Sequence, residues 1–194
     1  MSTEKTAQVD PCKVITGRVR FSFVNVFEPK ENEDGKKQYQ VSIIIDPEDD
    51  DAAETLRKVN AAIEAAKQKG KSKKFEGKIP AKLKLPLGKG SEDRPDNPEY
   101  AGKFFLNANA PADKPRPGVV DAKRLPITDP ELLYSGCYGR ASISFYPFNF
   151  EGKKGIGCGL NNIQKLEDGE RLAGSRASAE DDFNDGVGGD DDFL

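Results

Sequence analysis

The chain has 194 residues, 36% hydrophobic and 32% charged, with a formal net charge of −3. That suits one modest core with solvated extensions. Histidine is absent, which excludes Ser-His-Asp, Cys-His and His-Glu-x-x-His chemistry and leaves only carboxylates with a metal as an enzymatic route.

Met1 to Pro11 is polar and lacks the apolar stretch of a signal peptide. No apolar run approaches the ~18 residues that a membrane span needs, so no membrane contact is expected. Val14 to Phe27 has the pattern of a long strand. Val19, Phe21 and Phe23 alternate with Arg18, Arg20 and Ser22, which places the first three inward and the arginines outward. Asp34-Gly35 is a hairpin signal. Gln38 to Asp46 returns as a second strand with Tyr39, Val41, Ile43 and Ile45 on one face.

Asp46-Pro47 ends that strand. Asp49, Asp50 and Asp51 then sit where acids favour a helix start. Asp51 to Lys69 carries Leu56, Val59, Ile63 and Ala66 at helical spacing, and Gly70 is the expected stop. Next comes the densest basic stretch: nine lysines between Lys67 and Lys89, with Glu76 as its single acid. Lys71, Lys73, Lys74, Lys82 and Lys84 are its candidate phosphate contacts. Lys103 to Asn109 and Val119-Val120 are shorter strand candidates.

Gly136 to Phe150 alternates most clearly. Cys137, Gly139, Ala141, Ile143 and Phe145 share one face; Tyr138, Arg140, Ser142, Ser144, Tyr146 and Phe148 share the other. Ile156 to Leu166 pairs with it across a turn at Gly152 to Gly155. Glycines at 155, 157 and 159 sit inside a strand pattern, so they signal close backbone approach or a bulge rather than a dinucleotide loop. The three cysteines, Cys12, Cys137 and Cys158, are too far apart for a Cys-x-x-Cys site and are expected as small buried side chains. No metal or other cofactor is indicated.

After Glu167 the periodicity is lost. Residues 1–12 are expected to be a flexible N-terminus, 13–168 one domain, and 169–194 a disordered acidic tail. Ala177 to Leu194 holds seven acids and no base, which leaves the remainder of the chain at about +4 against a tail of −7. The expected fold is mainly β: an OB-like five-stranded barrel with one helix and long loops.

An outer strand face that interleaves aromatics with arginine fits unpaired bases and phosphates. Tyr138, Arg140, Tyr146 and Phe148 are the candidate nucleic-acid contacts, and Arg18 and Arg20 extend that track. The tail ends Asp190-Asp191-Asp192-Phe193-Leu194. Acids followed by an apolar terminus suit a basic-rimmed hydrophobic pocket on a partner, and the same tail suits the protein's own basic groove. Two other readings stand beside this one: a nuclease using Asp49, Asp50 and Asp51, and a protein-interaction or virion component without physiological nucleic-acid binding.

The acidic, apolar-ended tail resembles that of bacterial and phage single-stranded DNA-binding proteins, although here it ends in Phe193-Leu194. Ser135 to Arg140, Ile143 to Tyr146, and Gly155 to Gln164 followed by Asp168-Gly169 resemble a phage-encoded OB-fold family associated with single-stranded DNA binding. The resemblance spans roughly Val14 to Gly169. It implies a sequence-tolerant single-stranded DNA binder, not an enzyme, acting in phage DNA replication, recombination or repair in the cytoplasm of a bacterial host. It also implies DNA polymerase, helicase or recombination proteins as partners for the tail.

Overall fold

Alternating apolar residues need a second apolar layer, and here the sheet supplies it by closing on itself. The computed structural model describes residues 9–172. Within them the strands are β1 (Lys13–Ile15), β2 (Val19–Glu31), β3 (Lys37–Ile45), β4 (Leu87–Lys89), β5 (Phe104–Pro111), β6 (Gly118–Val120), β7 (Tyr138–Phe150) and β8 (Lys153–Glu167). The long helix α1 spans Ala52–Lys73.

Five strands form a ring in the order β7, β2, β3, β5, β8 and back to β7. This is the expected OB-like barrel, with β1, β4 and β6 added at its edges. The ring is uneven. β7 and β8 pair along their whole length, whereas β5 meets β8 in parallel only at Asn109 and Gly159. Val19, Phe21, Ile43, Leu106, Ile143 and Ile163 fill the interior with Val59 and Ile63 of α1. Cys12, Cys137 and Cys158 are all buried free thiols.

Three local expectations are corrected. The single strand over Val14 to Phe27 is two strands. Thr16 turns the chain between them: its Oγ1 accepts the Ala141 N–H at 3.0 Å, and the Gly17 N–H donates to Thr55 Oγ1 at 2.9 Å. β1 and the start of β2 therefore share one edge of β7.

Phe23 does not follow Val19 and Phe21 inward. The β2–β3 register shifts between Ser22 and Asn25, and Phe23 adopts φ +47°. A bulge reverses which residues face the core, so Val26 is buried and the Phe23 ring is turned out.

Gly70 does not end α1. It lies buried inside the last turn, where a side chain would strike the Phe75 ring and Pro147. The helix closes one turn later, as the N–H groups of Lys74 and Phe75 both donate to the Gly70 carbonyl at 2.8 and 2.9 Å.

The acids before α1 also find other partners. Asp51 makes no side-chain cap; its carboxylate accepts the Arg18 backbone N–H at 3.3 Å. Asp49 pairs with the Arg18 guanidinium at 3.6 Å. Among the described residues no group of three or more Cys, Asp or Glu is placed to hold a metal ion, and no helix is long and apolar enough to cross a membrane.

Candidate nucleic-acid interface

The outer face of β3 and β5 forms the floor of a cleft of about 710 Å³. Gln38, Gln40, Asn107 and Asn109 project from that floor. They stand on neighbouring strands in register, Gln38 facing Pro111, Gln40 facing Asn109 and Ser42 facing Asn107. Gln38 Nε2 donates to Asn109 Oδ1 at 3.2 Å and Asn32 Nδ2 to Gln38 Oε1 at 3.4 Å. Amides offer both donors and acceptors, so such a floor can meet the polar edge of any base.

Aromatic rings wall the cleft. Tyr146 and Phe148 come from β7, Phe23 from the bulge in β2, and Phe105 from β5. Tyr146 is 47% exposed and Phe23 39%. Two glycines of β8 explain how the β7 rings lie. Phe148 is paired with Gly155 and Tyr146 with Gly157, and a Cβ at either glycine would collide with the opposing ring. The rings therefore lie across the neighbouring strand in the space its missing side chains leave. Gly155 also admits the Lys84 backbone, whose carbonyl accepts the Ile156 N–H at 2.9 Å. Burial, and to a lesser degree the neighbouring Cys158 thiol, pushes the Tyr146 phenol up from its ordinary value, so it stays neutral beside any phosphate.

Phe23 carries backbone strain. A bulky residue at positive φ costs on the order of 1–3 kcal/mol, and such outliers cluster at ligand sites. The Arg94 guanidinium lies 5.2 Å from its ring centroid, and 5.3 and 5.5 Å from those of Phe105 and Tyr100. Tyr100 is fully buried, with its hydroxyl donating to Ser42 Oγ at 2.8 Å, so Arg94 is seated on a rigid aromatic base.

Charge is distributed less simply. The lining carries Lys84 and Arg94 against Glu33, Asp34 and Asp93. Cations in excess must come from its surroundings. Lys36, on the β2–β3 hairpin, lies 5.4 Å from the Phe150 ring at the end of β7, which brings two hairpin tips together over one end of the cleft. The amide of Asn149 donates to the Lys74 carbonyl at 3.3 Å, so the lysine-bearing end of α1 abuts the β7–β8 hairpin. Lys71, Lys73, Lys74, Lys82 and Lys84 are all exposed.

The structure divides the other sequence candidates from this cleft. Tyr138 and Arg140 sit at the opposite end of β7 from Tyr146 and Phe148. Arg18 and Arg20 place their guanidinium carbons 3.9 and 5.2 Å from the Tyr138 ring centroid. Arg18 also pairs with Glu167. Arg20 donates to the carbonyls of Gly136 and Glu170 at 3.0 and 2.7 Å, and Arg140 donates to that of Thr16 at 3.0 Å. These four side chains knit β1, β2 and the chain after β8 to β7. Asp190, Asp191, Asp192, Phe193 and Leu194 lie outside the described residues.

Sequence reasoning missed Phe23, Arg94 and the four amides. The bulge that exposes Phe23 has no local signature, and Arg94 lies in a loop whose partners are distant in sequence. The alternation of Gln38 and Gln40 against Val41 and Ile43 was visible, and was the one available signal.

The fold matches known proteins. The family model described as Enterobacter phage Enc34, ssDNA-binding protein matches residues 12–194. Protein p50 of Acyrthosiphon pisum secondary endosymbiont phage 1 is 28% identical over 179 residues, covering 89% of this chain and 93% of that protein. The structure resembles that of the single-stranded DNA-binding protein from bacteriophage Enc34 in complex with ssDNA, with TM-score 0.69, 22% identity, and coverage of 84% of this chain and 90% of that one. It also resembles gp2.5, a single-stranded DNA-binding protein encoded by bacteriophage T7, with TM-score 0.60, 14% identity, and coverage of 94% and 98%.

Proposed function

Because the chain belongs to the Enterobacter phage Enc34 ssDNA-binding protein family, a family of binding proteins rather than enzymes, we propose that it binds single-stranded DNA in the cleft over β3 and β5. The observation that carries this reading is the pair of outward rings, Phe23 and Tyr146, on opposite walls of an amide floor. Oligonucleotides bind OB barrels on this face, and stacking on such rings contributes ~1–3 kcal/mol per base whatever the base. Tyr146 and Phe148 stack on bases, the floor amides accept any base edge, and Lys84 with Lys71, Lys73, Lys74 and Lys82 guides the phosphates. Tyr138, Arg140, Arg18 and Arg20 extend the track beyond the cleft. Binding is sequence-tolerant.

The protein acts in phage DNA replication, recombination or repair in the cytoplasm of the bacterial host. The terminal residues Asp190 to Leu194 recruit DNA polymerase, helicase or recombination proteins, and the acidic segment competes with DNA for the cleft. A salt-dependent anisotropy titration with unrelated oligonucleotides tests the central claim. Similar affinities across sequences, a steep fall with salt and much weaker duplex binding are expected; equal binding to duplex overturns it.

A further inference from the structure

Beyond the cleft, on the far side of β2, lies a separate cavity of about 250 Å³. It opens between the outer half of β2 and the loop 130–135. Phe23 lines both cavities, so it stands where they meet. A strand leaving the cleft past this ring would arrive at Lys30, Tyr134 and Arg171, which line the second cavity with Asn25, Ser135 and the acid Glu131.

We propose that this cavity is a second subsite for the same DNA strand, taking one further nucleotide after it crosses the Phe23 ring; the proposal rests on the reading of the cleft as the DNA site. The cavity is smaller than the ~300–1,000 Å³ usual for drug-sized ligands, and suits a single base better than a cofactor. Its chemistry suits one as well. The Arg171 guanidinium lies 4.3 Å from the Tyr134 ring centroid, and a guanidinium so positioned both stacks on bases and pairs with phosphate. Tyr134 is itself anchored: its hydroxyl donates to the Gly169 carbonyl at 2.8 Å and accepts the Gly169 N–H at 3.1 Å. The platform is therefore built on the barrel, although Arg171 follows the last strand. Nearby, Asp168 accepts from Lys165 at 2.6 Å and from the Tyr134 hydroxyl at 3.2 Å and also feels the Arg171 charge, while Glu131 is the acid that lines the cavity. The conformation of Phe23 fits this role, because the bulge at positive φ turns the residue outward where the two cavities meet.

The test is a length series. Wild type, Lys30→Ala, a Lys30→Ala/Arg171→Ala double variant and Tyr146→Ala are titrated with oligothymidylates of about 4 and about 12 nucleotides, the span covered by single OB folds. Unfolding midpoints establish that each variant is folded, and Lys30→Ala alone, which leaves the Arg171–Tyr134 contact in place, serves if the double variant is not. The double variant is expected to bind the short oligonucleotide like wild type and to lose about tenfold on the long one at low salt. Its salt slope on the long one should fall by about 1.4, since each lost single-strand phosphate contact counts ~0.7; Lys30→Ala alone should show half that change. An unchanged slope on the long oligonucleotide, or equal losses at both lengths, overturns the subsite. Tyr146→Ala reports separately on the cleft: if it binds both lengths like wild type, the cleft reading itself has failed.

Discussion

The ring of Tyr146 lies across Gly157 on the neighbouring strand, in space that a side chain at 157 would occupy. The two residues form a cross-strand pair in which the glycine sets the position of the ring. Tyr146→Ala should weaken single-stranded DNA binding by ~1–3 kcal/mol with little change in the unfolding midpoint, because the residue is 47% exposed. Gly157→Val should displace the ring and cost about 1–3 kcal/mol of stability by overpacking. In a double-mutant cycle, Gly157→Ala should be better tolerated in the Tyr146→Ala background than in wild type. Additive effects in urea unfolding would show that the two positions are independent.

Phe23 sets binding against stability. Phe23→Gly relieves the positive φ and should be more stable than Phe23→Ala by about 1 kcal/mol, while both lose DNA affinity through the missing ring. Urea midpoints and anisotropy on the same preparations measure the two effects. A less stable glycine variant would remove the strain argument.

Burial pushes the Cys158 thiol up to about 12 from an ordinary value of 9.0. The folded state therefore favours the neutral thiol. This contribution to stability is fully present below the unfolded value and is lost as pH rises from about 9 towards 12. The alkaline fall in unfolding free energy should be smaller in Cys158→Ala than in wild type, even though the variant starts less stable. Identical slopes over that window would exclude Cys158 as a source.

Truncation after Ala179 removes seven acids and no base, which changes the formal charge from −3 to +4. The shortened protein should bind DNA more tightly at low salt, with the gain shrinking as salt screens it, and should lose recruitment of replication proteins in a pull-down. Unchanged low-salt affinity would rule out competition by the tail.

Much of this protein was legible before its structure. Period-two alternation placed Cys137, Ala141, Ile143 and Phe145 inside and Tyr146 and Phe148 on the other face, because a pleated strand leaves no third option. The glycines of β8 were recognisable as positions of close backbone approach or a bulge; Gly155 admits the Lys84 backbone, whereas Gly157 makes room for the Tyr146 ring. The bulge at Phe23 was hidden: one extra residue in β2 is defined by its register against β3, a relation between segments rather than a property of either. Gly70 looked like a helix stop because its propensity is local, whereas its role is to admit Phe75 and Pro147.

By itself the sequence determined the long barrel strands, the barrel class, the absence of histidine chemistry and the split between a basic body and an acidic tail. All of these follow from composition and short-range period. The tertiary structure decided which polar and aromatic residues meet. Arg18 and Arg20 lie over the Tyr138 ring at one end of β7, while Phe23, Tyr146 and the amides of β3 and β5 converge at the other. The physical reason is closure of the ring. It brings β2, β3, β5 and β7, the first and last of them more than a hundred residues apart in the chain, around one cleft, and no local pattern encodes which faces will share it.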